Sequence, residues 1–264
     1  MQQQALEDWR SIPSARAIAL GLLSTARTPM RVADLVRRAE LIGVEGAAMR
    51  VALGRLCRDT IVTQVERGRY AIGPGGAVLD RRARSWAGAP QRMRDWHGRW
   101  LIIAADHLGR SDRRRVRERE RALSLYGFAQ AYAGLWVRPD NLVASLGDLV
   151  TQMQMVGLDQ AAVAICDAQP LSDAAWRALW PVATIEHGYR HWIGEMTGSL
   201  SRLPDYTAEE AARETLLLGQ SVIRAINRDP LLSDTMVDAA MREAVVATMQ
   251  RYDAAGKECW SRIA

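Results

Sequence analysis

Along the first eighty residues the apolar positions keep helical spacing three times and then switch to alternation. Ala15, Ile18, Ala19, Leu22 and Leu23 share one face of a first helix, with Ser14 in the capping position behind Pro13. Val32, Leu35, Val36 and Ala39 repeat the pattern, and Gly43 supplies a stop. Met49, Ala52, Leu53 and Leu56 mark a third helix over Glu45–Asp59. Ile61, Thr63 and Val65 then alternate ahead of a turn at Arg67-Gly68, which reads as strand, turn and strand. Three helices followed by a hairpin predict a winged helix-turn-helix.

The following stretch, "GPGGAVLDRRARSWAGAP", has glycines and prolines at both ends and predicts a linker or a short connecting helix. Trp100 to Ala105 is an apolar run suited to a buried strand. "SDRRRVRERERALSLYGF" predicts a basic helix capped by Ser111, "AQAYAGLWVRP" a second strand, "DNLVASLGDLVTQMQ" a helix capped by Asp140 or Asn141, and "QAAVAICDA" a third strand. This order is close to a ferredoxin-like sandwich. From Pro170 onward the pattern is helical. One helix follows Ser172 and stops at Pro181, a second opens on a Thr207…Glu210 capping box and ends before Pro230, and "LSDTMVDAAMREAVVATMQRYDAAGKECW" makes one more long helix. The expected chain is therefore α+β and multidomain. A winged-helix DNA-binding domain occupies 1–80, a linker 81–98, a ferredoxin-like central domain 99–170 and a helical domain 171–264.

Composition adds a direction to this layout. Hydrophobic residues make up 48% and charged residues 25%, as in folded globular proteins. No apolar run is long enough to span a bilayer, and "MQQQALEDWRSIPS" lacks a signal-peptide layout, so a cytoplasmic chain without membrane contact is expected. Cys57, Cys166 and Cys259 are widely spaced and form no CxxC pair, which argues against a disulfide framework or a zinc site. Residues 1–80, 81–121 and 122–264 carry formal charges of +3, +8 and −6, so a polyanion would meet the front of the chain. Lys257 is the only lysine, and arginine supplies every other cation.

If Met49, Ala52, Leu53 and Leu56 face a core, then Gly46, Ala47, Arg50 and Gly54 point the other way. Small residues around one arginine can approach base edges closely while the guanidinium reaches guanine or phosphate. Arg55 and Arg58 flank that surface, and Arg67 and Arg69 stand at the hairpin, placed for the backbone or the minor groove. The expected partner is double-stranded DNA.

The order of modules resembles the PaaX-type repressors of aromatic catabolism, and three stretches carry the likeness. "AMRVALGRLCRD" looks like the recognition helix of that family, with Arg50 and the pair Arg55-Leu56. "WHGRWLIIA" and the later "LYGFAQAYAGLWVRP" look like its central module, ending at Leu135 to Pro139. "INRDPLLSDTM" resembles its carboxy-terminal Arg-Asp-Pro-x-Leu signature at Arg228, Asp229, Pro230 and Leu232. The chain departs from the family at Thr60-Ile61, where Gly-Trp is common, and after Asp229, where a further proline and tryptophan are absent. The resemblance implies a non-enzymatic, homodimeric repressor without a cofactor, and a homodimer in turn implies an operator built as an inverted repeat. Such a repressor leaves its operator on binding an aromatic pathway intermediate or its coenzyme A thioester.

Other chemistry competes less well. Asp106 sits where CRISPR-associated integration nucleases, which the central module also resembles, hold a metal, so a metal-dependent nuclease is one alternative. No second carboxylate is placed beside it at obvious spacing. A winged adaptor that binds only protein is the other alternative. His187, His191 and Glu195 fall on one helical face but lack the glutamate of HExxH and a fourth ligand, so no metal site is assigned. Trp136, Trp176, Trp180 and Trp192 are expected to cluster in the middle and rear. Trp136, Arg138, His187, Arg190, His191 and Arg224 are the candidate effector-binding residues.

Overall fold

The computed structural model describes residues 9–26 and 28–263 and is a mixed α+β structure with two small antiparallel sheets. Two compact units are each built from separated stretches. The first holds residues up to Trp86 with His191–Arg224 and Val246–Ala264; the second holds Ala87–Arg190 with Ala225–Val245.

In the first unit, α1 (Ala15–Ala26), α2 (Val32–Ile42) and α3 (Gly46–Arg58) pack on the faces their spacing predicts. Ile18, Leu35, Ala39, Met49 and Leu56 are wholly buried. Ser14 Oγ accepts from the Ala17 N–H at 3.3 Å, and Gly43 stops α2 at φ 93° in the left-handed region that glycine adopts freely. β2 (Val62–Glu66) and β3 (Arg69–Ile72) turn at Gly68, whose φ is 74°. A two-residue strand, β1 (Met30–Arg31), adds to the hairpin in the order β1-β3-β2. Two residues are too short for an alternation to register, so sequence periodicity misses β1. A short helix, α4 (Ala77–Arg84), occupies the glycine-bounded stretch.

The second unit is centred on the sheet β5-β6-β4-β7, antiparallel throughout, formed by β4 (Trp100–Ala104), β5 (Ala129–Tyr132), β6 (Leu135–Pro139) and β7 (Val163–Ala168). The expected single strand over "AQAYAGLWVRP" is in fact two. Gly134, at φ 69°, folds it into a hairpin, and a side chain there would lie 2.5 Å from the Asp106 backbone. α5 (Arg113–Leu125) follows β4, and its cap is Asp112, not the expected Ser111: Asp112 Oδ1 accepts from the N–H groups of Arg114 and Arg115 at 3.0 and 3.1 Å. α6 (Leu146–Gln154) is capped by Ser145, whose Oγ accepts from the Asp148 N–H at 3.1 Å. The expected caps Asp140 and Asn141 serve elsewhere, Asp140 pairing with Arg94 and Asn141 holding the Leu231 carbonyl.

The rear of the chain supplies α7 (Ala174–Arg177), α8 (Val182–Arg202), α9 (Ala208–Arg228) and α10 (Ala239–Ser261). The helix expected after Ser172 shrinks to the four residues of α7, and the last helix begins at Ala239, so the first residues of its expected stretch lie outside it. The capping box forms: Thr207 Oγ1 accepts from the Glu210 N–H at 3.3 Å while Glu210 Oε2 accepts from the Thr207 N–H at 2.9 Å. None of the described helices is long and apolar enough to cross a membrane.

Candidate nucleic-acid interface

At 100° per residue, Ala47, Arg50, Val51, Gly54, Arg55 and Arg58 fall on one side of α3, opposite its buried stripe. All six are exposed. Arg50, Arg55 and Arg58 make no ion pair or hydrogen bond with another described side chain, so their guanidinium groups are available to an outside anion. Arg16, close by, is paired instead with Asp59 at 3.3 Å.

Gly54 is informative because nothing among the described residues requires it: a Cβ placed there meets none of their atoms within 4 Å. Glycine inside a helix costs up to about 1 kcal/mol relative to alanine. A position that bears that cost without an internal neighbour is suited to close approach by an external surface. Val51, 54% exposed, lies on the same side and offers an apolar contact of the kind a thymine methyl takes. Sequence reasoning passed over it because an apolar residue beside a core stripe is ordinarily read as core.

Gly46 departs from expectation. It is buried, and a side chain there would lie 2.6 Å from Glu40 Oε1 and 2.8 Å from Val36 Cγ1. Its smallness lets the first turn of α3 seat against α2, so it belongs to the packing beneath the exposed face.

At the hairpin, Arg67 is exposed and without an ion-pair partner among the described residues, whereas Arg69 is half-buried and lies 3.9 Å from Glu66. A recess of about 550 Å³ separates the hairpin tip from the start of α2 and is lined by Arg31, Arg67 and Arg69. Arg31 does not stand out in the sequence, since only the β1–β3 pairing brings it level with Arg69. A second recess of about 630 Å³ lies between the start of α1 and α3 and is lined by Arg16, Val51, Arg55 and Arg58.

The candidate effector residues are divided between the units: Trp136, Arg138, His187 and Arg190 in the second, His191 and Arg224 in the first. Arg138 is 1% exposed, and its donors go to the carbonyls of Tyr126, Pro139 and Pro230 and to Asn141 Oδ1. Trp136 is buried on β6 opposite Ile103. His187 and Arg190 are exposed, Arg190 with Nη1 towards Met241 Sδ at 3.8 Å. His191 is half-buried and edge-on to Trp192, with ring centroids 4.8 Å apart, and Arg224 donates to Ser221 Oγ at 2.8 Å.

The tryptophans gather differently from the expected set. Trp96, Trp176 and Trp180 surround Trp100, with centroids 5.3, 5.3 and 6.1 Å from it. Trp136 pairs across the sheet with Ile103, three residues from Trp100, so it lies on the opposite face. Trp192 belongs to the other unit.

Among the described residues no group of three or more His, Cys, Asp or Glu side chains is arranged for a metal ion. Glu195 accepts from the Trp9 indole at 2.8 Å and lies 3.6 Å from Arg10, and His107 Nε2 is hydrogen-bonded to the Ala161 carbonyl at 2.8 Å.

No family model matches the chain, and no curated protein matches it. Among solved structures it is similar to the uncharacterized protein Rv0674 from Mycobacterium tuberculosis, with a TM-score of 0.59 and 19% identity over 94% of this chain and 99% of that one. At that identity the likeness concerns the fold alone.

Proposed function

We propose that the chain is an effector-responsive transcriptional repressor of the PaaX type, binding an operator as a homodimer through an amino-terminal winged helix. In this reading α3 is the recognition helix, the β2–β3 hairpin is the wing, and the β4–β7 unit is a ferredoxin-like module. The observation that carries the reading is the exposed side of α3, where Arg50, Arg55 and Arg58 surround a glycine, the arginines without partners and the glycine without a close neighbour among the described residues. The sheet order β1-β3-β2, with β1 between α1 and α2 and the hairpin after α3, supports it further. Two of the stretches that resemble the family also meet: Arg138 of "LWVRP" donates to the carbonyl of Pro230 in "RDPLL" at 3.5 Å.

Arg50 would read a base edge, and Arg55, Arg58, Arg67 and Arg69 would hold the phosphate backbone. The operator would be an inverted repeat with half-sites one turn, or a multiple of one turn, apart. An aromatic intermediate or its coenzyme A thioester would favour a dimer unable to bind DNA and so shift the population away from the operator.

The test is a gel shift of the protein with its own promoter region in the presence of manganese. A repressor retards the DNA intact, a nuclease cuts it, and an adaptor leaves it unshifted. Arg50→Ala should cost about 1–3 kcal/mol, roughly 5- to 150-fold in affinity, and relax specificity at one position per half-site. Removing Arg55, Arg58 and Arg67 should instead weaken all sequences alike and flatten the salt dependence by roughly 0.9 in slope for each phosphate no longer neutralised. Unchanged affinity in both folded variants would remove α3 from the interface.

A further inference from the structure

The most basic helix of the chain is left unexplained by the proposed recognition helix and wing. α5 belongs to the second unit, which holds no part of α3 or of the β2–β3 hairpin. Its thirteen residues include six arginines and two glutamates. One of the arginines serves the fold: Arg119 is 6% exposed and donates to Asp159 at 3.1 Å and to the Gly109 carbonyl at 3.2 Å. Arg114 and Arg115 meet local acids, Glu118 at 2.9 Å and Asp112 at 4.0 Å. Arg113, Arg117 and Arg121 are exposed, and their side chains make no ion pair or hydrogen bond with another described residue.

These three stand at i, i+4 and i+8, so they fall within about 80° of one another, each roughly 6 Å further along the axis than the last. They occupy the centre of the face opposite buried Arg119, Ala122 and Leu123. Ser124 shares that face, and Glu120 borders it, half-buried. Like charges four residues apart repel. The first turn adds to the cost, since it carries Arg113, Arg114 and Arg115 and no acid beyond the Asp112 cap, against the helix dipole. An external anion offsets both effects. What the face lacks decides which anion. A protein partner anchors on apolar side chains at the centre of its contact, and a membrane surface takes up an exposed apolar stripe. The outward centre of α5 is arginine and serine, with Ala122 and Leu123 turned inward. A phosphate backbone needs only a row of cations.

We propose that the row Arg113, Arg117 and Arg121 is a second DNA contact, binding the phosphate backbone of a duplex without reading its bases. That the duplex is DNA rests on the repressor reading; that the row takes a phosphodiester backbone does not. Such a contact adds affinity equally on every sequence and makes binding more sensitive to salt, while the choice of sequence stays with α3.

The experiment follows the full chain on a DNA duplex of unrelated sequence, and on its own promoter region, by fluorescence anisotropy across a salt series. Two variants run beside it: Arg113→Gln, Arg117→Gln and Arg121→Gln combined, and Arg50→Ala, Arg55→Ala and Arg58→Ala combined. Glutamine keeps the helix propensity of arginine. The α5 variant should bind both duplexes more weakly, with a salt slope shallower by roughly 0.9 for each arginine removed. Its melting temperature without DNA should be equal or higher, because repelling charges are gone. If it does not fold, Arg117→Gln alone should give one such step in slope. The α3 variant should lose its preference for the promoter and still bind unrelated DNA. An α5 variant that folds and matches the wild type in affinity and slope overturns the proposal and leaves α3 untouched. An α3 variant unchanged on the promoter, with the α5 loss present, removes the recognition helix and keeps the row. The proposal also falls if the α5 loss appears with duplex RNA or phosphatidylserine vesicles and not with DNA, or if poly-glutamate displaces the duplex as well at equal charge.

Discussion

Individual residues in this chain are often decided by what a neighbouring backbone allows. Gly127 has φ 77°, and a Cβ there would lie 2.5 Å from the Pro230 oxygen and 3.1 Å from Arg138 Nη1. Gly127→Ala therefore meets a left-handed backbone and a wall of main chain together. It should destabilise by about 1–3 kcal/mol for the backbone conformation alone, read as a lower urea midpoint. Gly54, with open space around it, is the contrasting case: Gly54→Ala should leave the midpoint equal or raise it. Both are glycines in the sequence, and only the surroundings separate them. The same limit applies to Gly46 and Val51, where helical spacing alone could not separate packing from exposure.

At the level of elements, most helices were legible from their apolar stripes, their caps less so, and the capping box before α9 is the clearest example of a cap read correctly. Glu210 accepts from both the Thr207 N–H and its hydroxyl, which holds its carboxyl below the usual range. A depressed folded pKa contributes stability above the unfolded pKa and loses it as pH falls through the folded value. Thr207→Ala should cost about 1 kcal/mol near neutral pH. The gap between this variant and wild type, measured by urea unfolding, should narrow as the pH falls below the usual glutamate range. Strands were less legible. β1 has two residues, and the β5–β6 hairpin depends on Gly134 passing close over Asp106, a contact between segments that no local window contains.

For the molecule as a whole, position along the chain does not assign a residue to its neighbours. The first unit draws on the distant segments His191–Arg224 and Val246–Ala264: Trp9 donates to Glu195 at 2.8 Å, Arg37 to the Ile263 carbonyl at 2.7 Å, and Arg38 stacks on Trp260 at 5.1 Å. A fragment of residues 1–86 lacks these partners and should melt below the full chain in circular dichroism, by roughly 4–8 °C for each kcal/mol of stability removed. An equal melting temperature would show that the front helices and hairpin need nothing from the rear. The same long range explains why the grip of Arg138 on the Pro230 carbonyl has no local signature in the sequence, since 92 positions separate the two residues.

The clamp around residues 229–231 has a further consequence, for descent. Arg138 and Asn141 bind the main-chain oxygens of Pro230 and Leu231, and Gly127 leaves room for that same backbone. Backbone oxygens are supplied by any amino acid. Among descendants of one ancestral gene, positions 127, 138 and 141 should therefore change together or not at all. The side chain at 231, gripped only through its peptide, should drift on its own clock among apolar residues unbranched at Cβ, because the site is buried and its φ of 51° disfavours Val and Ile.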